Sequence, residues 1–227
     1  MTIKEFLVSF LMPEKCYETF FVEFHPHVLL DPPPPAEQLP QLLKILWRRS
    51  AAGLSLTSAL LQLYACSCPV LYAAANSFPL YSWGERLLTL VQSVAIVFLI
   101  VHYRGKTMKG LWLLSAYTAA MFLLGSYAAA AVVSLLHESR LAAAIASKGF
   151  QARMNHINGH TGQLSSASVL LSCAGSLGLT FVTLQVVHTV FFFLTAAHIL
   201  STCVSCVLLA QICCYRSRKT ILKNRNR

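Results

Sequence analysis

The sequence predicts an all-α membrane protein, a bundle of helices that crosses a bilayer several times. Only 11% of its 227 residues are charged and 56% are apolar, whereas about a quarter of the residues of a typical soluble domain are charged. No Asp, Glu, Lys or Arg occurs within the stretches 54–84, 87–101, 110–136 and 154–215. Because about 20 helical residues span the hydrocarbon core of a bilayer, such stretches indicate membrane crossings, and the last can hold two.

The first part of the chain, residues 1–38, is predicted to be an extramembrane segment. It contains six of the eight acidic residues and a run of four prolines, Pro32 to Pro35. Proline has no N–H to donate within a helix, so the run favours an extended polyproline spacer. The apolar stretch 6–12 is short and lacks a small-residue cleavage site, so we expect no cleavable signal peptide.

Six crossings are predicted after this segment. Five are supported by uncharged stretches: 54–75, 87–103, 110–136, 163–187 and 189–215. The remaining segment, 141–155, is weaker because it contains Lys148 and Arg153. It is either a short helix partly buried in protein or an interfacial helix.

The basic residues orient these crossings. If the chain alternates sides, four basic clusters fall on one face: Lys44, Arg48 and Arg49; Arg104, Lys106 and Lys109; Arg153; and the six basic residues of 216–227. The other face receives only Arg86 and Arg140. The positive-inside tendency makes the rich face cytosolic, places both chain ends on that side and supports 141–155 as a crossing. Clusters placed beside apolar helices also argue against nucleic acid as a partner of this chain, although its net charge is +10.

The sequence repeats itself at a distance of 110 residues. This shift places Gln41 on Gln151 and aligns five further identical pairs: Leu54 with Leu164, Ser55 with Ser165, Ser58 with Ser168, Leu60 with Leu170, and Leu61 with Leu171. In both copies a Leu-Ser pair opens an apolar helix, where the serine can cap the first turn. Two parallel triple-helix units joined by a linker helix form a known transporter architecture. The alternative is that leucine-rich helices match each other by composition.

At these residues the chain resembles a PQ-loop repeat, through Leu39-Pro40-Gln41 and the string 50–55. Further strings resemble one class of PQ-loop membrane protein, the mannose-phosphate-dolichol utilization defect family of the endoplasmic reticulum. They are residues 13–17, 78–85, 102–110 and 158–165. Together these strings cover nearly the whole chain in order.

The resemblance implies a seven-helix, multi-pass protein of the endoplasmic reticulum membrane that is not an enzyme and uses no cofactor. Such a protein is required for mannose-phosphate-dolichol and glucose-phosphate-dolichol to act as donors in N-glycan precursor and GPI-anchor synthesis. The implied partners are membrane lipids, dolichol-phosphate sugars and lumenal glycosyltransferases. Lipid transport, presentation of the donor and chaperoning of the transferases all stay open as its molecular action.

This chain departs from the family pattern in two places. The proline run stands where the first helix should lead to Pro40, so that helix is expected to be shortened or missing. The second repeat has Phe150-Gln151 in place of Pro-Gln. The expected organisation is an extramembrane segment (1–38), an incomplete first repeat (39–103), a linker helix with its flanks (104–140), a second repeat (141–215) and a basic cytosolic tail (216–227).

Three residues are candidates for a moving hinge between the repeats. Gln41 and Gln151 would bond unwound backbone during a rocking motion, and Pro40 would supply a flexible break. The alternative is that both glutamines cap helix ends at the membrane surface.

Six further residues are candidate contacts to a lipid phosphate. Arg104, Lys106 and Lys109 could hold a phosphodiester, but they could equally be orientation charges near anionic headgroups. His160, Thr161 and Gln163 could bond a phosphate with the help of helix N-terminal amides, or simply form a solvated loop.

Catalytic residues and a metal site are not expected. No predicted crossing contains Asp or Glu, and Cys203-x-x-Cys206 has no second ligand pair. His188 and His198 are expected to pack within the last two crossings. The rival functions are a small-solute carrier, such as a PQ-loop amino-acid transporter, an incomplete isoform without function and, more distantly, an enzyme.

Overall fold

The computed structural model of the chain describes residues 38–186 and 192–225. All regular structure in these ranges is helical, which confirms the predicted fold class. The α-helices are α1 (Leu39–Arg48), α2 (Leu56–Ala75), α3 (Gly84–Tyr103), α4 (Thr107–Tyr127), α5 (Ala130–Asn158), α6 (Ser166–Val186) and α7 (Phe192–Arg225), and a short 3-10 helix at Leu80–Ser82 precedes α3. The predicted proline spacer and the expected shortening of the first helix concern residues outside these ranges.

Four helices are long and apolar enough to cross a membrane, which confirms a multi-pass membrane protein. They are α2, α3, α4 and the part of α7 at Leu194–Ser217. The part of α6 at Ser166–Phe181 is apolar but shorter than these four. α5 carries Glu138, Arg140, Lys148 and Arg153 along its 29 residues, and helical geometry makes it roughly 43 Å long.

The helices pack as two groups that meet through α2 and α5, the most extensive helix pair. In the first group α2 packs against α3, and α4 contacts both of them. In the second group α7 packs against α5 and α6. The short helix α1 contacts α3 of the first group and α6 of the second, so it links the two groups.

The repeated Leu-Ser pair begins a helix in both groups, as predicted. Ser55 Oγ accepts the N–H of Ser58 at 3.2 Å, which caps the start of α2. Ser165 Oγ accepts the N–H of Ser168 at 3.4 Å before α6. Each contact satisfies one of the N–H groups that a helix leaves unpaired in its first turn.

The predicted crossing 110–136 is divided in the structure. α4 ends at Tyr127, and Ala128 and Ala129 have extended backbone angles with ψ of 138° and 144°. Residues 130–136 therefore begin α5, and the predicted segment 141–155 is the later part of that same helix. No proline, glycine or charge marks the break, and alanine is the best helix former, so composition could not locate it.

α7 continues as one helix to Arg225, so the basic residues of 216–225 lie on a helix. Lys and Arg form helices well, so their charge marks the edge of the membrane without ending the helix. Pro69 lies inside a single 20-residue helix, α2.

The orientation of the bundle can be tested with N-glycosylation acceptor sites. We expect a site inserted with flexible spacers between residues 76 and 83 to receive sugar, because the predicted orientation places that loop on the lumenal side. Sites inserted at 104–106, at 159–162 or after residue 225 should receive none, because the same orientation places these basic positions on the cytosolic side. A gel-mobility shift reversed by endoglycosidase is the measurement. Glycosylation at 104–106 or in the tail would contradict the layout.

Candidate functional site

Gln41 of α1 bonds the loop that precedes α6 in the other group of helices. Its Oε1 accepts the N–H of Ser165 at 2.6 Å, and its Nε2 donates to the carbonyl of Gln163 at 3.2 Å. The side chain is only 8% exposed. An amide is suited to this place because it offers a donor and an acceptor to the neighbouring backbone groups.

Gln151 of α5, in the second repeat, makes the equivalent contacts with the loop of the first repeat. Its Oε1 accepts the N–H of Ser55 at 3.0 Å, and its Nε2 donates to the carbonyl of Gly53 at 3.1 Å. Each of these residues lies 110 positions from its counterpart around Gln41. The two repeats therefore exchange glutamine side chains, and we call this pair of contacts the glutamine exchange.

Between the two glutamines the loops of the repeats touch backbone to backbone. Gln163 N donates to the carbonyl of Ala52 at 2.9 Å. Gly53 and Gly162 have positive φ angles of +81° and +50°. A Cβ at Gly162 would lie 2.8 Å from the Cα of Gly53 and would also meet the carbonyl oxygen of Ala52. Only glycine suits Gly162, because both its backbone angle and its surroundings exclude a side chain.

Two basic side chains extend this symmetry. Lys44 Nζ donates to the carbonyl of Leu164, and Arg104 Nη2 donates to the carbonyl of Leu54, both at 2.7 Å. Burial, and then the charge of Arg48, lower the pKa of Lys44 from its ordinary value. Arg104, a predicted phosphate contact, thus holds the start of α2 in this structure.

The remaining predicted residues lie apart from the centre of the interface. Pro40 occupies the first turn of α1, where its missing N–H costs no helical hydrogen bond. Lys106 and Lys109 are exposed at the start of α4. His160 is exposed and Thr161 is half-buried in the loop before α6, where Gln163 contributes its backbone to the glutamine exchange. The hinge and phosphate roles of all nine residues stay predictions.

A cavity of about 160 Å³ lies between the two groups of helices. The described residues that line it include seven apolar side chains, seven serines, four glutamines and one lysine. Gln41 and Gln151 are among the glutamines, so the exchange forms part of the wall. A cavity that combines a cation, hydroxyls and amides within apolar helices can bind a polar or anionic group.

Lys148 is the functional candidate that sequence analysis did not single out. It lies ten residues before Asn158, the end of α5, which is about 15 Å along the helix. Its Nζ donates to the hydroxyls of Ser176, Ser201 and Ser205 at 2.9, 3.1 and 2.9 Å. An ionisable residue within a membrane is a sign of a functional site. The sequence analysis used the charge of Lys148 only as evidence against a crossing at 141–155.

Other side chains considered for chemistry are scattered. His198 is buried on α7, and Cys203 and Cys206 are exposed on the same helix. His188 lies outside the described residues. In the part of the chain that the structure describes, no group of three or more His, Cys, Asp or Glu side chains could hold a metal ion.

Comparison with known protein families matches one part of this interface. Residues 37–82 match the family model described as PQ loop repeat. The match covers α1 with Gln41, the loop with Gly53, and α2. No solved structure matches the chain. The match to residues 37–82 therefore supports the PQ-loop family for this multi-pass, all-helical membrane protein.

Proposed function

We propose that the protein acts in the endoplasmic reticulum membrane. There it is required for mannose-phosphate-dolichol and glucose-phosphate-dolichol to be used as sugar donors. These donors feed N-glycan precursor and GPI-anchor synthesis. In this proposal the protein binds the lipid, moves it or presents it to lumenal glycosyltransferases, and catalyses no reaction itself. The proposal joins the PQ-loop match to the sequence strings that resemble the dolichol-sugar family.

The observation that carries the proposal is the cavity between the repeats, where one lysine, several amides and several hydroxyls lie among apolar side chains. A dolichol-phosphate sugar has a phosphodiester and several hydroxyls, which need hydrogen-bond donors and acceptors when they leave water. Its polyisoprenoid tail needs an apolar surrounding. The cavity supplies a lysine, amides and hydroxyls to the headgroup, and the apolar faces of helices such as α4 leave the tail in lipid.

A small-solute carrier is the second candidate, and the position of the cavity favours it. Transporters built from repeats hold their solute at the interface between the repeats. PQ-loop amino-acid carriers rely on acidic residues within the membrane for proton coupling. Among the described residues the acids are Glu85, in the first turn of α3, and Glu138, within α5. Both are exposed, and neither lines the cavity.

Expression in cells that lack the endogenous dolichol-sugar utilization protein tests the proposal. We expect the chain to reside in the endoplasmic reticulum and to restore the complete mannose- and glucose-extended lipid-linked oligosaccharide. Mass profiling of these oligosaccharides is the measurement, with the full-length family member and an empty vector as controls. Truncated glycans at equal expression would refute the function and leave a non-functional isoform. Amino-acid uptake by proteoliposomes that contain the protein, without restored glycans in cells, would favour the carrier.

A further inference from the structure

We propose that the cavity holds a sugar-phosphate headgroup in one orientation, with the phosphate at Lys148 in the second repeat and the sugar at Gln38 and Gln62 in the first. This inference rests on the proposed function. It assigns a binding role to three residues of the interface, and it predicts which part of the ligand each of them recognises.

The orientation comes from a difference between the two repeats. Gln38 and Lys148 are 110 positions apart, and both line the cavity. Gln38 is a neutral amide whose Oε1 accepts the hydroxyl of Ser93 at 2.7 Å, while its Nε2 lies 3.6 Å from the sulfur of Cys66. Equivalent positions therefore present an amide on one side of the cavity and an ammonium group on the other.

The side with Lys148 suits a phosphate. The three serine hydroxyls that Lys148 bonds are neutral acceptors, and a phosphate oxygen is a stronger acceptor for an ammonium group. Ser205 also lines the cavity, so its hydroxyl can turn from the lysine to the ligand. Ser168, on the same side, has a buried hydroxyl oxygen with no hydrogen-bond partner within the described part of the chain. The hydroxyl group of Ser168 can donate to a phosphate oxygen.

The side with Gln38 and Gln62 suits sugar hydroxyls. Gln62 Nε2 lies 3.7 Å from the sulfur of Cys66, and sulfur is a weak acceptor. A glutamine amide can donate to one hydroxyl and accept from the next, which is the pairing that a sugar needs. A neutral amide also avoids the cost of burying a second charge.

The test measures binding of a mannosyl phosphate with a short isoprenoid chain to the purified protein in nanodiscs. Lys148→Met should weaken binding about tenfold or more, because a charge-assisted hydrogen bond is lost. Lys148→Arg should retain most of the affinity. The control Arg153→Met removes an exposed basic side chain of the same helix that does not line the cavity, and it should leave affinity unchanged. Equal affinity of Lys148→Met and the unmodified protein would overturn the inference.

Two further probes test the orientation. The same isoprenoid chain carrying mannose without phosphate should bind Lys148→Met and the unmodified protein alike, whereas equal losses for both probes would indicate a structural role. Gln62→Leu should weaken the mannosyl phosphate but not the isoprenoid phosphate that lacks a sugar. This second variant decides the orientation even if Lys148→Met does not fold. A phosphate probe that depends on Gln62 as strongly as the sugar probe would overturn it.

The inference and the proposed function can fail separately. Lys148-dependent binding without rescue of the lipid-linked oligosaccharide would refute the cellular function alone. Rescue by Lys148→Met as complete as that by the unmodified protein would refute the inference alone. Mannose 1-phosphate should compete weakly, because it lacks the lipid. Competition as strong as that of the lipid probe would assign the site to a soluble sugar phosphate and contradict the proposed function but not the orientation.

Discussion

Gly162→Ala is expected to destabilise the protein by about 3 kcal/mol, and the effect should come from the contact between the repeats. The backbone of Gly162 has a φ of +50°, and a left-handed conformation costs a residue with a Cβ about 1–2 kcal/mol. The new Cβ would also lie 2.8 Å from the Cα of Gly53 and meet the carbonyl of Ala52. Overpacking of this kind costs about 1–3 kcal/mol more. The apparent melting temperature in detergent is the measurement.

Gly159→Ala is the matched control. Gly159 has a similar φ of +65°, but a Cβ placed there would meet nothing within 4 Å. This substitution should therefore cost only the backbone strain, about 1–2 kcal/mol. The difference between the two variants isolates the contact between the loops at Gly53 and Gly162. Equal losses in the two variants would show that this close approach does not contribute to stability.

Gln151→Leu should be at least as damaging as Gly162→Ala, because it breaks one half of the glutamine exchange. It leaves the N–H of Ser55, the carbonyl of Gly53 and the amide oxygen of Asn155 without the bonds that Gln151 makes at 3.0, 3.1 and 2.9 Å. Each buried group left unsatisfied costs about 1–3 kcal/mol. We expect a large fall in melting temperature and loss of the lipid-linked oligosaccharide rescue. Gln41→Leu should act in the same direction with a smaller effect, since it breaks two bonds.

Gln92→Leu provides the control for the glutamine variants. Gln92 lies on α3, and its Oε1 is buried without a hydrogen-bond partner in the described ranges. Replacing it by leucine removes an unsatisfied polar atom, so stability should be unchanged or slightly higher. If Gln92→Leu and Gln151→Leu lowered the melting temperature equally, the glutamine exchange would have no special importance for the interface.

The positions of the crossings could be predicted because a membrane imposes a local rule. A buried charge in lipid is costly, so uncharged stretches correspond to α2, α3, α4 and most of α7. The boundary between α4 and α5 could not be predicted, because Ala128 and Ala129 break the helix where alanine composition favours its continuation. There the packing of α5 against α2 outweighs local propensity.

The site was predictable only in part. The 110-residue repeat identified Gln41 as equivalent to Gln151, and Ser55 as equivalent to Ser165. The structure places all four in one interface. The repeat could not show that each glutamine bonds the loop of the other repeat, since sequence spacing says nothing about which units touch. The clustered charges predicted Arg104, Lys106 and Lys109 as phosphate contacts. The basic residue that lines the cavity is Lys148.

The sequence by itself determined that this chain is an all-helical membrane protein with two related halves. Composition and periodicity suffice for this, because the exclusion of charge from lipid acts on each segment separately. Only the tertiary structure decided that the halves exchange glutamines, that Gly53 and Gly162 meet, and that Lys148 lies beside a cavity. These features depend on residues about 100 positions apart coming within hydrogen-bond distance, and such contacts are fixed by the packing of whole helices rather than by any local pattern.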